Sequence, residues 1–177
     1  NRELAAITTR RAEVRQAAAI FAADWDRLEE PEPGPLVVSP TDSRQRLIGL
    51  IESARSSLDI YAEVVRDEAV IEALSGAESR GVNVRLVVSP EYSDQDRGQS
   101  EREWLAAAGV EIRFARGEYI HAKLIIVDGA TVWLGSQNFT ATSLDQNREV
   151  GMVIDDTANV NRVREVFDAD FATGRQE

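Results

Sequence analysis

The chain has 177 residues, 43% of them hydrophobic, with three tryptophans and no cysteine. That suffices for one globular core and excludes disulfides and thiolate metal sites. Acidic residues outnumber basic ones 31 to 20, a formal charge of -11, which disfavours a nucleic-acid binder because phosphate neutralisation needs clustered Lys and Arg.

Residues 1–27 are repeated near the other end of the chain without a gap. At an offset of 146, Asn1-Arg2-Glu3 falls on Asn147-Arg148-Glu149, and Phe21-Ala-Ala-Asp24-Trp25 falls on Phe167-Asp-Ala-Asp170-Phe171. Val14 meets Val160 at the same offset. This reads as a duplicated strand-then-helix tail. Two unrelated amphipathic helices would not explain why Asn-Arg-Glu opens both segments. The chain begins at Asn1, and a longer precursor is expected to precede it.

Residues 28–35, Leu-Glu-Glu-Pro-Glu-Pro-Gly-Pro, cannot continue a helix and read as a linker. A short strand over Pro35 to Pro40 follows, then a helix capped by Thr41 or Asp42 with Leu47, Ile48, Leu50 and Ile51 on one face. Ser57 to Val65 alternates as a strand, a helix runs to about Ser79 and stops at Gly81, and Val82 to Val88 is a β-branched strand. Strand, helix, strand at this spacing is a βαβ unit. The fold class is therefore α/β: a mixed, largely parallel sheet flanked by helices.

Ser89 to Ser100 reads as a solvated loop, followed by a helix over Glu101 to Ala108 and a strand over Val110 to Ala115. Tyr119 is a candidate for lining a cleft, with packing an equal reading. Two apolar strands, Leu124 to Val127 and Thr131 to Leu134, flank Asp128-Gly129, a strong hairpin signal. After a polar connection, Glu149 to Ile154 alternates as a strand and Thr157 to Phe171 is an amphipathic helix. Asp155-Asp156 is expected to cap that helix rather than hold a metal. No apolar run approaches the ~20 residues of a spanning helix. A soluble or peripheral-membrane chain is the expectation, with nothing to mark its compartment.

The hairpin carries the chemistry. His121, the only histidine, and Lys123 lie two residues apart and share a strand face. Gly135, Ser136 and Asn138 fall just past the second strand. Phosphodiester cleavage needs a nucleophile, an acid for the leaving oxygen and donors for the phosphoryl oxygens. Imidazole supplies either of the first two, and Lys123, Ser136 and Asn138 supply donors. No metal or cofactor is required by this set.

The spacing H-x-K-x4-D-x6-G-S-x-N, filled by His121, Lys123, Asp128, Gly135, Ser136 and Asn138, resembles the HKD signature of the phospholipase D superfamily. A lone histidine beside a strand is commonly a packing residue; six positions in register argue for a site. The resemblance implies catalysis without metal through a phosphohistidine, with two His-Lys-Asn sets meeting across a pseudo-twofold axis. It implies that residues 1–27 are the tail of a preceding half, 28–35 a linker, and 36–177 the HKD domain. The site is then half a site, completed by a missing N-terminal half or by a homodimer. A carboxylate from one half orients the histidine of the other: Glu3 for His121, and Glu149 for the absent histidine. The competing reading of both glutamates is surface ion pairing with arginines. Asp128, at the turn, is expected to be structural.

Three functions compete. A phospholipase D or cardiolipin-synthase-like phosphatidyltransferase, acting on phospholipid with peripheral membrane contact, is favoured by the acidic charge and the repeat. A metal-independent nuclease of the same superfamily is the alternative. The third is a non-catalytic HKD assembly or binding module.

Overall fold

The computed structural model describes residues 1–89 and 98–176, so most of the expected 89–100 loop lies outside the described residues. In chain order the elements are α1 (Arg11–Asp26), β1 (Val37–Ser39), α2 (Ser43–Ser53), β2 (Ser57–Tyr61), α3 (Glu68–Ser79), β3 (Asn83–Val88) and α4 (Gln99–Ala107). They continue with β4 (Glu111–Phe114), β5 (Lys123–Val127), β6 (Thr131–Gly135), α5 (Ala141–Asp145), β7 (Glu149–Ile154), α6 (Thr157–Thr173) and β8 (Arg175–Gln176). The strands form one sheet in the order β1-β7-β6-β5-β2-β3-β4-β8.

The sheet is mixed and flanked by helices, as expected, but it is not largely parallel. Among the described strands, parallel pairing is confined to β2-β3 and β3-β4, with two isolated parallel bridges outside them. The β5–β6 hairpin inserts antiparallel against β2, and β7, β1 and β8 join antiparallel too. The expected βαβ unit is therefore real but local. β2 is also shorter than the alternating run suggests, and the 139–145 connection holds α5, whose first turn is capped by the Thr140 hydroxyl accepting from the Ser143 N–H. Asp156 caps α6 as expected, accepting from the Asn159 N–H at 3.0 Å.

Each face of the sheet has its own core. On one side, Leu47 and Ile51 of α2, Leu74 of α3 and Leu105 of α4 pack on Leu58, Ile60, Leu86 and Trp133. On the other, Val160 and Phe167 of α6 cover Tyr61, Val87, Leu124 and Leu134. α1 makes a small apolar contact, with Ile20 and Ala23 buried beside Leu36, Val38 and Met152, and polar contacts from Gln16 to Leu36 and from Asp24 to Arg148 add to it. Its repeat-equivalent face points outward. Phe21 is 66% exposed where its counterpart Phe167 is fully buried, and Trp25 is 76% exposed. The strand expected in residues 1–10 is absent apart from a bridge between Arg2 and Ile120.

The turn between β5 and β6 explains Asp128. Asp128 and Gly129 both adopt positive φ, 51° and 62°, the requirement of a tight hairpin turn. Burial works to raise the Asp128 carboxyl, but the N–H groups of Ser57, Ser56 and Arg55 and the Ser56 hydroxyl outweigh it and hold the pKa at about 2. Asp128 therefore ties the hairpin to the start of β2. Because this pKa lies below the unfolded value of about 3.9, the contribution is whole above about pH 4 and is lost as pH falls towards 2. Asp128→Asn is expected to cost about 2 kcal/mol, read as a lower melting temperature at pH 7 and a weaker acid destabilisation between pH 4 and 2.

Candidate active site

The strand end that carries His121 is fixed by the N-terminal segment. Arg2 N–H donates to the Tyr119 carbonyl at 2.7 Å, and the N–H groups of His121 and Ala122 both donate to the Arg2 carbonyl. The Arg2 guanidinium grips Asp170 of α6 through two bonds, 2.6 and 2.7 Å. These contacts bring Glu3 to the histidine: Glu3 Oε1 lies 2.9 Å from His121 Nδ1.

Lys123, the first residue of β5, is buried, with its side chain 5% exposed. Its Nζ donates to the His121 carbonyl at 2.7 Å and to Glu63 Oε2 at 2.6 Å. Asn138 arrives from the other side because Phe139 bridges to Val65 and its N–H donates to the Val64 carbonyl. Asn138 Nδ2 then donates to the same Glu63 oxygen at 3.2 Å, and its Oδ1 is buried without a partner among the described residues.

Glu63 is the residue that sequence reasoning missed. Its Oε2 receives Lys123 and Asn138 and stands 3.6 Å from His121 Nε2, while Oε1 accepts from the Tyr119 hydroxyl at 2.6 Å. Burial works to raise its carboxyl, and the bonds from Lys123, Tyr119 and Asn138 outweigh that and hold it below the usual carboxylate range. Donation to Glu63 in turn pushes the Tyr119 hydroxyl up to about 12. One signal was available: a carboxylate just past the C-terminal end of a strand in a βαβ unit, where open α/β sheets bind ligands.

Of the other expected site residues, Ser136 and Gly135 border a groove of about 440 Å³ between Glu3, His121 and β7. The Ser136 hydroxyl accepts from the Val150 N–H, so its proton is left to donate. A Cβ at Gly135 would run into Trp133, Gln137 and the backbone of Gly151, which explains the glycine by packing between β6 and β7. Glu149 is not drawn to His121; among the described residues it accepts from Asn147 Nδ2 at 3.1 Å. Asp128 sits at the far end of β5. No cluster of metal-ligating side chains occurs among the described residues, and no helix there is long and apolar enough to cross a membrane.

Residues 47–171 match the family described as cardiolipin synthase, PLD-like domain. The chain belongs to the phospholipase D-like family. Among curated members it is 32% identical over 130 residues to the mitochondrial cardiolipin hydrolase of Xenopus tropicalis, covering 72% of this chain and 61% of that one. It is 29% identical to the cardiolipin synthase of Geobacillus thermodenitrificans, covering 89% of this chain and 37% of the synthase. The chain thus spans less than two thirds of the length of these phospholipase D-like relatives. Among solved structures, Nuc from Salmonella typhimurium, a phospholipase D family member, superimposes with a TM-score of 0.75 at 28% identity, covering 80% of this chain and 95% of Nuc. NucT from Helicobacter pylori, at 21% identity and a TM-score of 0.71, shares the fold.

Proposed function

We propose that the protein cleaves or transfers phosphodiesters of phospholipids through a phosphohistidine, with His121 forming half of a site that a second HKD half completes. The observation that carries this reading is the Glu3 carboxylate on His121 Nδ1, 2.9 Å away, because Glu3 comes from the segment that repeats 147–171. A tail belonging to one half holds the histidine of the other. The arginines and aspartates of the repeat support it. Arg2 pairs with Asp170, and Arg148 pairs with Asp24; each tail's Arg meets the other tail's Asp.

In the reaction, a histidine Nε2 lone pair attacks phosphorus and the bond to the leaving oxygen breaks. The histidine of the other half gives that oxygen its proton, then takes one from water or an acceptor alcohol, whose oxygen attacks phosphorus and frees the first histidine. Lys123, Ser136 and Asn138 neutralise or donate to the non-bridging oxygens. Hydrolysis and transfer differ only in which nucleophile reaches the intermediate. Phospholipid is favoured over nucleic acid by the -11 charge and by the likeness to cardiolipin enzymes. Headgroup release from phosphatidylglycerol or cardiolipin vesicles in the presence of a chelator tests this, and its absence from protein containing two halves contradicts it. The likeness to Nuc favours a second reading, a metal-independent nuclease, for which plasmid nicking at low salt without magnesium is the readout.

The second half is expected to bury the outward face of α1. Burying Phe21 and Trp25 contributes about 2 kcal/mol each. Phe21→Asp combined with Trp25→Asp is therefore expected to lower headgroup release about 10-fold or more while helix content by circular dichroism stays unchanged. Unaltered turnover would place the second half elsewhere.

A further inference from the structure

We propose that Glu63 is a specificity-determining residue that makes the site select singly charged phosphodiesters against doubly charged phosphomonoesters. The inference rests on the phosphodiester reading of the His121 site and adds a residue to it. A single carboxylate oxygen, Glu63 Oε2, holds Lys123 Nζ at 2.6 Å and Asn138 Nδ2 at 3.2 Å, with His121 Nε2 at 3.6 Å. These are the donors that a non-bridging phosphoryl oxygen would take beside an attacking imidazole. Glu63 therefore occupies or adjoins the seat of the phosphoryl group.

A purely structural purpose, aiming Lys123, is already served. Lys123 Nζ is anchored by the His121 carbonyl at 2.7 Å and its stem is buried in β5. Glu63 itself is tethered from its other oxygen by the Tyr119 hydroxyl at 2.6 Å. When a phosphoryl group takes Lys123 and Asn138, the carboxylate stays beside it, and repulsion grows with each negative charge the ligand carries. At an effective dielectric of about 20, one additional unit charge at this range changes affinity by well over tenfold.

The consequence fits the reaction. A phosphodiester arrives with one negative charge, whereas hydrolysis leaves a monoester whose second proton is lost near pH 6. Glu63 lets the substrate in and weakens the hold on the product and on inorganic phosphate. A site built from Lys123 and Asn138 without the carboxylate would bind the product more tightly than the substrate.

The test titrates dimethyl phosphate and glycerol 3-phosphate at pH 7.5 into ring-15N-histidine-labelled wild-type protein and the Glu63→Gln and Glu63→Ala variants, following the His121 ring by NMR, with thermal melts to establish folding. We expect both variants to bind both ligands more tightly than wild type, with the gain for doubly charged glycerol 3-phosphate at least tenfold larger than the gain for singly charged dimethyl phosphate. Equal effects on the two ligands, or none, with His121 still responding, would overturn the role of Glu63 and leave the phosphodiester site standing. A His121 ring that responds to neither ligand in any variant would overturn the site reading and this inference together. If Glu63→Ala melts early, Glu63→Gln, which preserves the side-chain shape, decides the matter.

Discussion

His121→Ala is expected to reduce headgroup release from phospholipid vesicles by at least about 10⁴-fold, whichever of the two histidine roles His121 performs. As nucleophile its loss removes the covalent path; as acid its loss leaves an alkoxide to depart unprotonated. His121 is the only histidine in the sequence, so no neighbouring imidazole of this chain substitutes. Glu3→Gln should be milder, because the amide can still accept from Nδ1 and keep the ring oriented. A variant lacking His121 that retains more than a hundredth of the wild-type rate would remove the HKD site from the reaction.

The second large effect is on stability. Asp170→Ala is expected to destabilise the fold by about 3 kcal/mol, read as a melting temperature lower by roughly 6–12 °C for a chain of this size. Asp170 accepts two bonds from Arg2 and one from the Tyr61 hydroxyl at 2.6 Å, with its side chain 15% exposed. Removing it leaves the Tyr61 hydroxyl with only the long 3.4 Å bond to the Val166 carbonyl and takes the carboxylate from a part-buried guanidinium. The repeat counterpart behaves differently: Asp24 faces Arg148 with side chains 42% and 34% exposed, so Asp24→Ala should cost below about 1 kcal/mol. Asp170→Ala should also slow turnover, since Arg2 is what carries Glu3 to His121. Equal costs for the two aspartates would contradict the assignment of one pair to a packed interface and the other to an open one.

What was legible in the sequence was local. His121, Lys123, Asp128 and the Gly135-Ser136-x-Asn138 run lie within one hairpin, so their spacing alone carries the site. Glu3 was legible because the offset repeat gave a reason to look at the opposite end of the chain, and its carboxylate lies where that reasoning pointed. Glu63 was not. It reaches Lys123 and Asn138 only because β2 pairs with β5 and the segment after β6 runs beside the end of β2, and strand periodicity does not say which strands are neighbours. The same ignorance of neighbours made the sheet look largely parallel: the Asp128-Gly129 hairpin was readable, its insertion beside β2 was not. The expected strand in residues 1–10 failed for a related reason. Its counterpart β7 is held between β1 and β6, and backbone groups at 3–8 have no such strands beside them among the described residues.

The exposed stripe of α1, the reciprocal Arg-Asp pairs and the Glu3 contact are what the proposed arrangement, in which tail segments cross between halves, would produce. Phe21 and Trp25 look like errors on a solvated helix, yet at the equivalent positions of α6 Phe167 is fully buried and Phe171 packs on the core. In the proposed arrangement the same residue types serve the same purpose, α6 against this sheet and α1 against that of the second half.

The most direct test of the half-site is the covalent intermediate. Protein turning over phosphatidylglycerol vesicles, quenched in alkali and measured intact and after digestion by mass spectrometry, is predicted to carry one phosphatidyl group on a single histidine for every two HKD halves. A phosphatidylated protein containing only one half and no dimer, or turnover with no histidine adduct at any time, would contradict the account.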